Sequence, residues 1–451
     1  MISRCDLVHG FCVVAWALAC ASCSSSNNPS PPSGAAATGG ETAGTVGAGG
    51  NAGNGGTAAG TSGTGTSGSA AAGRGATGAG TGASAGNAAG AAAVGGGGSS
   101  GAGGTSGTGG TMSIAATETV FVSGYGSDIT VFGFDTKTGA MTKRSSVSGG
   151  TSPSYLAFAP SLKFAYAVNE ADGANSKVVA FSVEAKTGKL TQLNSSVTGG
   201  SGAPHLAVHP SGKWVVVAHY NSGQVTVLPI ADNGQVGAAG TPDKGPNNGC
   251  ENAHQAVFDR SGEHLLVPCL GSNYVIQYKF ANGVLTYNDP ATVPVMGGPR
   301  HLALDPDQTH AYVLSELESL ITSFKYDAAT GKLTDPQTIN SFETMKGASG
   351  HIVVHPRGKW LYASNRTENS IGLFSLDADS RPHPVSFVKD MIATPRDFSV
   401  DPSGQWLLSA NQAGAQNVLV FRIDPSAGGL TRMSVVAVGS QPTFTQALVL
   451  E

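Results

Sequence analysis

One short unit recurs along the C-terminal part of this chain, and it restricts the possible folds more than any other feature. Ser154-Tyr-Leu-Ala-Phe-Ala-Pro160, Pro204-His-Leu-Ala-Val-His-Pro210, His254-Gln-Ala-Val-Phe-Asp-Arg260, Arg300-His-Leu-Ala-Leu-Asp-Pro306, Gly350-His-Ile-Val-Val-His-Pro356 and Arg396-Asp-Phe-Ser-Val-Asp-Pro402 align. Their last residues are 50, 50, 46, 50 and 46 positions apart. A fixed period of this length marks a repeat architecture. Each unit continues through a polar turn, such as Ser211-Gly212-Lys213, into a second apolar run, such as Trp214 to Ala218. A third β-rich run follows, for example Lys177 to Val183. It ends at a Gly-containing hairpin turn: Thr138-Gly139, Thr187-Gly188, Asn233-Gly234, Asn282-Gly283 or Thr330-Gly331. Glycine supplies the positive φ such turns need. With a fourth run, each unit reads as one four-stranded antiparallel propeller blade.

Two remnants stand outside the six units. Thr119 to Ser123 and Thr130 to Phe134 read as strands two and three of a blade that lacks its first strand; Phe444 to Leu450 reads as a first strand with nothing after it. Joined, they make a seventh blade that closes the ring and leaves no open sheet edge. The expected fold is therefore an all-β, seven-bladed β-propeller over 113–451, long enough for a large core.

The preceding residues differ in kind. Residues 1–112 hold only four charged side chains, Arg4, Asp6, Glu41 and Arg74. Leu7 to Cys23 is a short apolar run followed by small residues, too short to span a bilayer comfortably. Trp16-Ala-Leu-Ala-Cys20 is similar to the lipobox of bacterial lipoproteins, so 1–20 is expected to be a lipoprotein-type signal peptide with Cys20 lipidated; an ordinary cleaved signal is the alternative. Residues 21–112, rich in Gly, Ala, Ser and Thr, have little to bury and are expected to be a tether. The expected location is the cell envelope, lipid-anchored in an outer membrane, or otherwise secretion. In an oxidising compartment Cys250 and Cys269, the two cysteines of the domain, could pair as a disulfide on neighbouring strands of one blade, or remain thiols. The net charge of -4 points to neither nucleic acid nor an anionic membrane surface as partner. A monomer is expected.

The repeat also shows which residues converge. Strand one of a blade lines the channel, and its start lies beside the end of strand two. Counted from the anchor residue, positions minus six and minus five carry Ser154-Tyr155, Pro204-His205, His254-Gln255, Arg300-His301, Gly350-His351 and Arg396-Asp397. Positions plus nine and plus ten carry Asn169-Glu170, His219-Tyr220, Cys269-Leu270, Ser315-Glu316, Asn365-Arg366 and Asn411-Gln412. Three arginines at one mouth suit an anionic ligand, and Glu170 and Glu316 could act as bases or orient water. Polar strand ends also occur simply because they meet solvent. His209 and His355 precede the anchor prolines and are expected to face turns. Trp214, Trp360 and Trp406 share one repeat position and are expected in packing between blades. No His-x-His or His-x3-His pair with a carboxylate, phosphate loop, dinucleotide fingerprint or Gly-x-Ser-x-Gly elbow occurs, so no metal or cofactor is expected.

Gly298-Pro299-Arg300-His301, Glu316, Tyr362-Ala-Ser-Asn365-Arg366 with Asn369-Ser370-Ile371, Pro395-Arg396 and Ala410-Asn411-Gln412 together resemble the lactonase family of seven-bladed propellers. That family includes propeller-type bacterial 6-phosphogluconolactonases and fungal carboxy-muconate lactonizing enzymes. The resemblance covers 117–451 and implies a metal-free site at one channel mouth. It implies His254, Arg300, Glu316 and Arg366 as the catalytic set, with His205, His301, Asn365, Arg396 and Glu170 around the substrate. The chain departs from the family at Glu251-Asn252-Ala253-His254, where Pro-His-x-His is usual, and at Cys269-Leu270-Gly271-Ser272-Asn273, where Asp-Leu-Gly-x-Asp is usual. Both departures, and the export signal, count against a cytoplasmic sugar phosphate as substrate. Two functions stay open: hydrolysis of a lactone, possibly an anionic sugar lactone, and a non-catalytic surface propeller that binds a protein or glycan.

Overall fold

The computed structural model describes residues 117–173 and 176–450. The expected signal peptide 1–20 with Cys20, and the expected tether 21–112, lie outside the described residues. Seven antiparallel sheets follow one another around a ring. Blades one to six are numbered here by their anchors at 160, 210, 260, 306, 356 and 402. Blade one, Tyr155–Phe158, Phe164–Asn169, Lys177–Val183 and Leu190–Val197, is typical. Blade seven joins the two remnants: Pro442–Leu448 pairs antiparallel with Thr117–Gly124, followed by Asp128–Asp135 and Ala140–Ser148.

Blade two holds its fourth segment less regularly than the other six blades. His205–Val208, Trp214–His219 and Gln224–Pro229 form a three-stranded sheet, and the next segment runs beside it without a continuous ladder, through the bridges Val225↔Asp243 and Ile230↔Val236 and the hydrogen bonds of the Gly237 and Gly240 N–H groups to the Pro229 and Val227 carbonyls. The run that should supply strand four, near Val236-Gly-Ala-Ala-Gly240, is too rich in small residues to pack a strand face.

The blades are held by apolar clusters that cross from one to the next. Val216 and Ala218 of blade two pack with Leu265, Val267 and Ile276 of blade three. The first residue of strand two acts as a knob between blades. Trp406 of blade six lies under the hairpin glycine Gly139 of blade seven, and its Nε1 donates to the Thr136 carbonyl at 2.9 Å. Trp214 of blade two meets Gly283 of blade three in the same way. A Cβ on either glycine would lie 2.5 Å from the indole, and φ is +73° and +82°. Turn geometry and close approach therefore both require Gly. Trp360 is buried among Phe398, Leu407 and Leu419 of the next blade. The three tryptophans are thus packing residues.

In blades two to six the residue before the anchor secures the opposite end of the blade. Asp259, Asp305 and Asp401 accept backbone N–H groups from their own turn and from the start of strand two. His209 and His355 instead place Nε2 at 3.0 and 2.8 Å from the carbonyls of Gly262 and Gly404 in the following blade.

Candidate active site

The arginines of the mouth are aimed by irregularities in strand one. In blade four, Pro299 faces Ser315 but His301 faces Leu314, so Arg300 is an extra residue in the ladder. In blade six, Pro395 faces Asn411 and Asp397 faces Ala410, which makes Arg396 the extra residue. Such bulges bend a strand and redirect its side chains. Here they turn two long cations toward the channel that regular alternation would not place there.

Glu316, at the end of strand two of blade four, sits between two of the cations. Its Oε2 is 2.8 Å from Arg300 Nε, and its Oε1 is 2.7 Å from Arg366 Nη2. The first contact is ionic without the alignment of a hydrogen bond. Arg300 is 2% exposed and donates through Nη1 to the Gly350 carbonyl. Arg366 donates through Nε to the Ala348 carbonyl at 2.9 Å. Burial, reinforced by Arg366, pulls the Arg300 guanidinium down to about 9, with Glu316 opposing. Burial pushes the Glu316 carboxyl up, but the fields of Arg300 and Arg366 prevail and hold it below its ordinary value. Glu316 is therefore a carboxylate at neutral pH.

A second group faces it. Arg396 Nη2 lies 3.9 Å from Glu170 Oε1, and its guanidinium stacks over the Tyr125 ring, 5.1 Å from the centroid. The Tyr125 hydroxyl donates to Glu170 Oε1 at 3.3 Å. Burial pushes Tyr125 up to about 12, with Glu170 adding to it and Arg396 opposing.

Below the arginines, imidazoles line the wall. His254 and His301 have ring centroids 5.0 Å apart, and His301 and His351 have Nδ1 atoms 2.5 Å apart, so one of these two imidazoles donates to the other. Burial, then the Arg300 charge, drives His254 and His301 well below the usual imidazole value. His205 and His351 fall to about 3, chiefly through burial. All four are neutral at pH 7. His254 Nδ1 is buried without a hydrogen-bond partner and is available as an acceptor. Among the described residues, no three His, Cys, Asp or Glu side chains converge as metal ligands would.

A small cleft at the mouth is lined by Tyr155, Glu170, His254, Arg300, His301, Arg396 and Asp397, among others. The structure thus gathers His254, His301, Arg300, Arg396 and Glu170 around one opening, and Glu316 and Arg366 join through their contacts to Arg300. His205 stands deeper, on the wall of the channel. Asn365 does not belong to the cleft, and its expected place beside the substrate is corrected. It is fully buried; its Nδ2 donates to the Met345 carbonyl and Ser319 Oγ, and its Oδ1 accepts the Glu368 N–H at 2.7 Å. The plus-nine position is a tether to the loop about 20 residues upstream. Asn169 holds the Gly149 carbonyl, Ser315 that of Met296 and Asn411 that of Met391. Cys269 holds the loop covalently through Cys250. Cys250 lies in the loop after the short helix Pro246–Asn248, not on a neighbouring strand.

Asp397, in the cleft wall, and Tyr125, which contacts the cleft residues Glu170 and Arg396, lie outside the expected set. Tyr125 is the plus-ten residue of blade seven: its N–H bonds to the Gln441 carbonyl as that of Glu316 bonds to Gly298. Completing the ring before tabulating its positions would have revealed it. Asp397 was visible in the repeat, but nothing in the sequence marked its burial.

Comparison with known proteins agrees with this fold. A family model described as a lactonase, 7-bladed beta-propeller, matches residues 114–446. The chain is 28% identical over 325 residues to a 6-phosphogluconolactonase of Bacillus subtilis, covering 69% of this chain and 91% of the relative. It is 31% identical over 279 residues to a 6-phosphogluconolactonase of Yersinia enterocolitica, covering 60% and 81%. Among solved structures, a periplasmic gluconolactonase of Pseudomonas aeruginosa superposes with a TM-score of 0.68 at 26% identity, covering 74% of this chain and 100% of that one.

Proposed function

Because the chain belongs to the seven-bladed β-propeller lactonase family, we propose that it hydrolyses an anionic sugar lactone in the manner of a 6-phosphogluconolactonase. One observation carries the reading: Arg300 and Arg366 are fixed on the two oxygens of Glu316, beside an unpartnered acceptor nitrogen of His254. The guanidinium groups suit a carboxylate or phosphate on the substrate and the oxyanion that forms when water attacks the lactone carbonyl. His254 takes the proton from that water. Glu316 orients the two arginines instead of acting as base, because both of its oxygens are taken up by them, whereas His254 Nδ1 has no partner. His301, Arg396 and Glu170 complete the binding surface.

The similar solved structure from Pseudomonas aeruginosa is described as a periplasmic gluconolactonase. This similarity, together with the apolar leader and Cys20, supports a site in the cell envelope that meets non-cytoplasmic lactones. The test is base consumption by the purified protein on a panel of sugar lactones, with and without a carboxylate or phosphate. Turnover that prefers the anionic members and collapses in Arg300→Ala supports the reading. No turnover above background, or turnover indifferent to Arg300→Ala, would overturn it in favour of a binding propeller.

A further inference from the structure

Asp397 is a buried carboxyl at the site for which the reaction outlined above has no use. It is 3% exposed and follows the bulged Arg396 in strand one of blade six. It stands where two cavities meet, the mouth cleft that holds His254 and Arg300, and a second cavity that continues beside His351 and Thr445. Its situation is the reverse of that of Glu316. Among the described residues no Lys or Arg nitrogen lies within 4.0 Å of its oxygens, whereas Glu316 has two guanidinium groups at 2.7 and 2.8 Å. The titratable groups that line these cavities with it are Tyr155, Glu170 and the neutral His254, His301 and His351, with the charges of Arg300 and Arg396, and the Phe398 N–H bonds its carboxyl. Burial prevails over those two charges and the Phe398 N–H and raises the Asp397 carboxyl well above its ordinary value. Two carboxyls in one mouth, driven in opposite directions by their surroundings, are the pattern that separates acid from base.

We propose that Asp397 is the general acid of the reaction, donating its proton to the ring oxygen as the lactone opens. This rests on the lactonase reading. Water adds to the carbonyl carbon and passes one proton to His254. The bond between that carbon and the ring oxygen then breaks, and the Asp397 proton goes to the oxygen, which leaves as a hydroxyl. The new carboxylic acid ionises, and its proton and the one on His254 restore Asp397 and leave one proton for solvent. The second cavity gives water a route to Asp397 while product fills the cleft.

The experiment compares wild type with Asp397→Asn, which keeps shape and a donor but cannot transfer a proton. On an aliphatic sugar lactone kcat should fall about 100-fold, with KM little changed. On a phenol-derived lactone, whose leaving oxygen needs no proton, the fall should be less than about threefold. The wild-type rate should decline at alkaline pH as Asp397 ionises, and this limb should vanish in the variant. Equal losses on both lactones, or no loss, would overturn the proposal. Infrared difference spectra at pH 7 supply a second readout that needs no substrate. A protonated carboxyl band present in wild type and absent from a folded Asp397→Asn supports it, and identical spectra sink it. If wild type opens no lactone, the lactonase reading itself fails and the acid role with it, whatever the band shows.

Discussion

Cys269 and Asn365 occupy the same place in two repeats, one holding its upstream loop through a disulfide and the other through a hydrogen bond to the Met345 carbonyl. Both are fully buried. The plus-nine side chain thus decides how firmly the loop beside each mouth residue is held, whichever chemistry it uses.

The disulfide should therefore act as a local loop anchor. It closes a sequence separation of 19 residues, for which chain entropy predicts a contribution of about 3 kcal/mol. Cys250→Ala with Cys269→Ala should lower the denaturant midpoint accordingly. Cys250→Ala with Cys269→Asn should recover part of the loss, because Asn does the same task in blades one, five and six. Equal midpoints for the two double variants would refute the shared-tether account.

Removing the carboxylate between the arginines should harm both fold and function. Glu316→Gln leaves Arg300 buried opposite Arg366 without a counter-charge, a change expected to cost about 3 kcal/mol. Because the native Glu316 value is depressed, its stabilising contribution is present above the unfolded carboxylate value and is lost as pH falls through the folded one. Chemical denaturation at pH 7 and at pH 3 should show wild type and Glu316→Gln converging at the lower pH. A gap that persists at pH 3 would contradict this.

Arg300 should not be replaceable by lysine. Its planar group reaches Glu316 and the Gly350 carbonyl together, a fork that an ammonium lacks. Lactone turnover in Arg300→Lys should fall at least about 100-fold, close to the level of Arg300→Ala. Activity within a few-fold of wild type would show that charge alone matters there.

The buried imidazoles should make the domain acid-sensitive above the range of carboxylate titration. His205 and His351 sit near 3 in the fold, against 6.5 when unperturbed. Below pH 6.5 the unfolded chain takes up protons that the folded chain refuses, so stability falls as pH falls. The melting temperature should drop steadily from pH 6.5 to pH 4.5, and less steeply in His351→Asn. A flat profile over that interval would mean that the imidazoles titrate normally.

Deleting 442–451 should abolish folding instead of trimming an end. The strand Pro442–Leu448 is the inner strand of blade seven, with Phe444 2% and Ala447 0% exposed. Its loss would open the ring beside Thr117–Gly124. Far-ultraviolet circular dichroism and the cooperativity of unfolding would report it; a sharp native-like transition would contradict closure by this strand.

The sequence by itself determined the ring: a constant period, hairpin glycines and two complementary remnants leave little freedom in how seven β-rich units can bury their faces. It also determined which end of the channel is polar, because strand ends are set by the same period. The tertiary structure decided which polar residues do chemistry. Asn365 and Arg366 are neighbours in sequence, yet one is turned into its loop and the other reaches Glu316, since side-chain direction depends on the carbonyls that a loop presents. Arg300 and Arg396 point inward because each is the extra residue of a bulge, a register irregularity that composition does not record. Tyr125 enters the mouth only when the two chain ends meet, and Asp397 differs from Glu316 in the cations that surround it and in its deeper burial. Contact and desolvation are properties of the assembled ring, and they set the charge of each group.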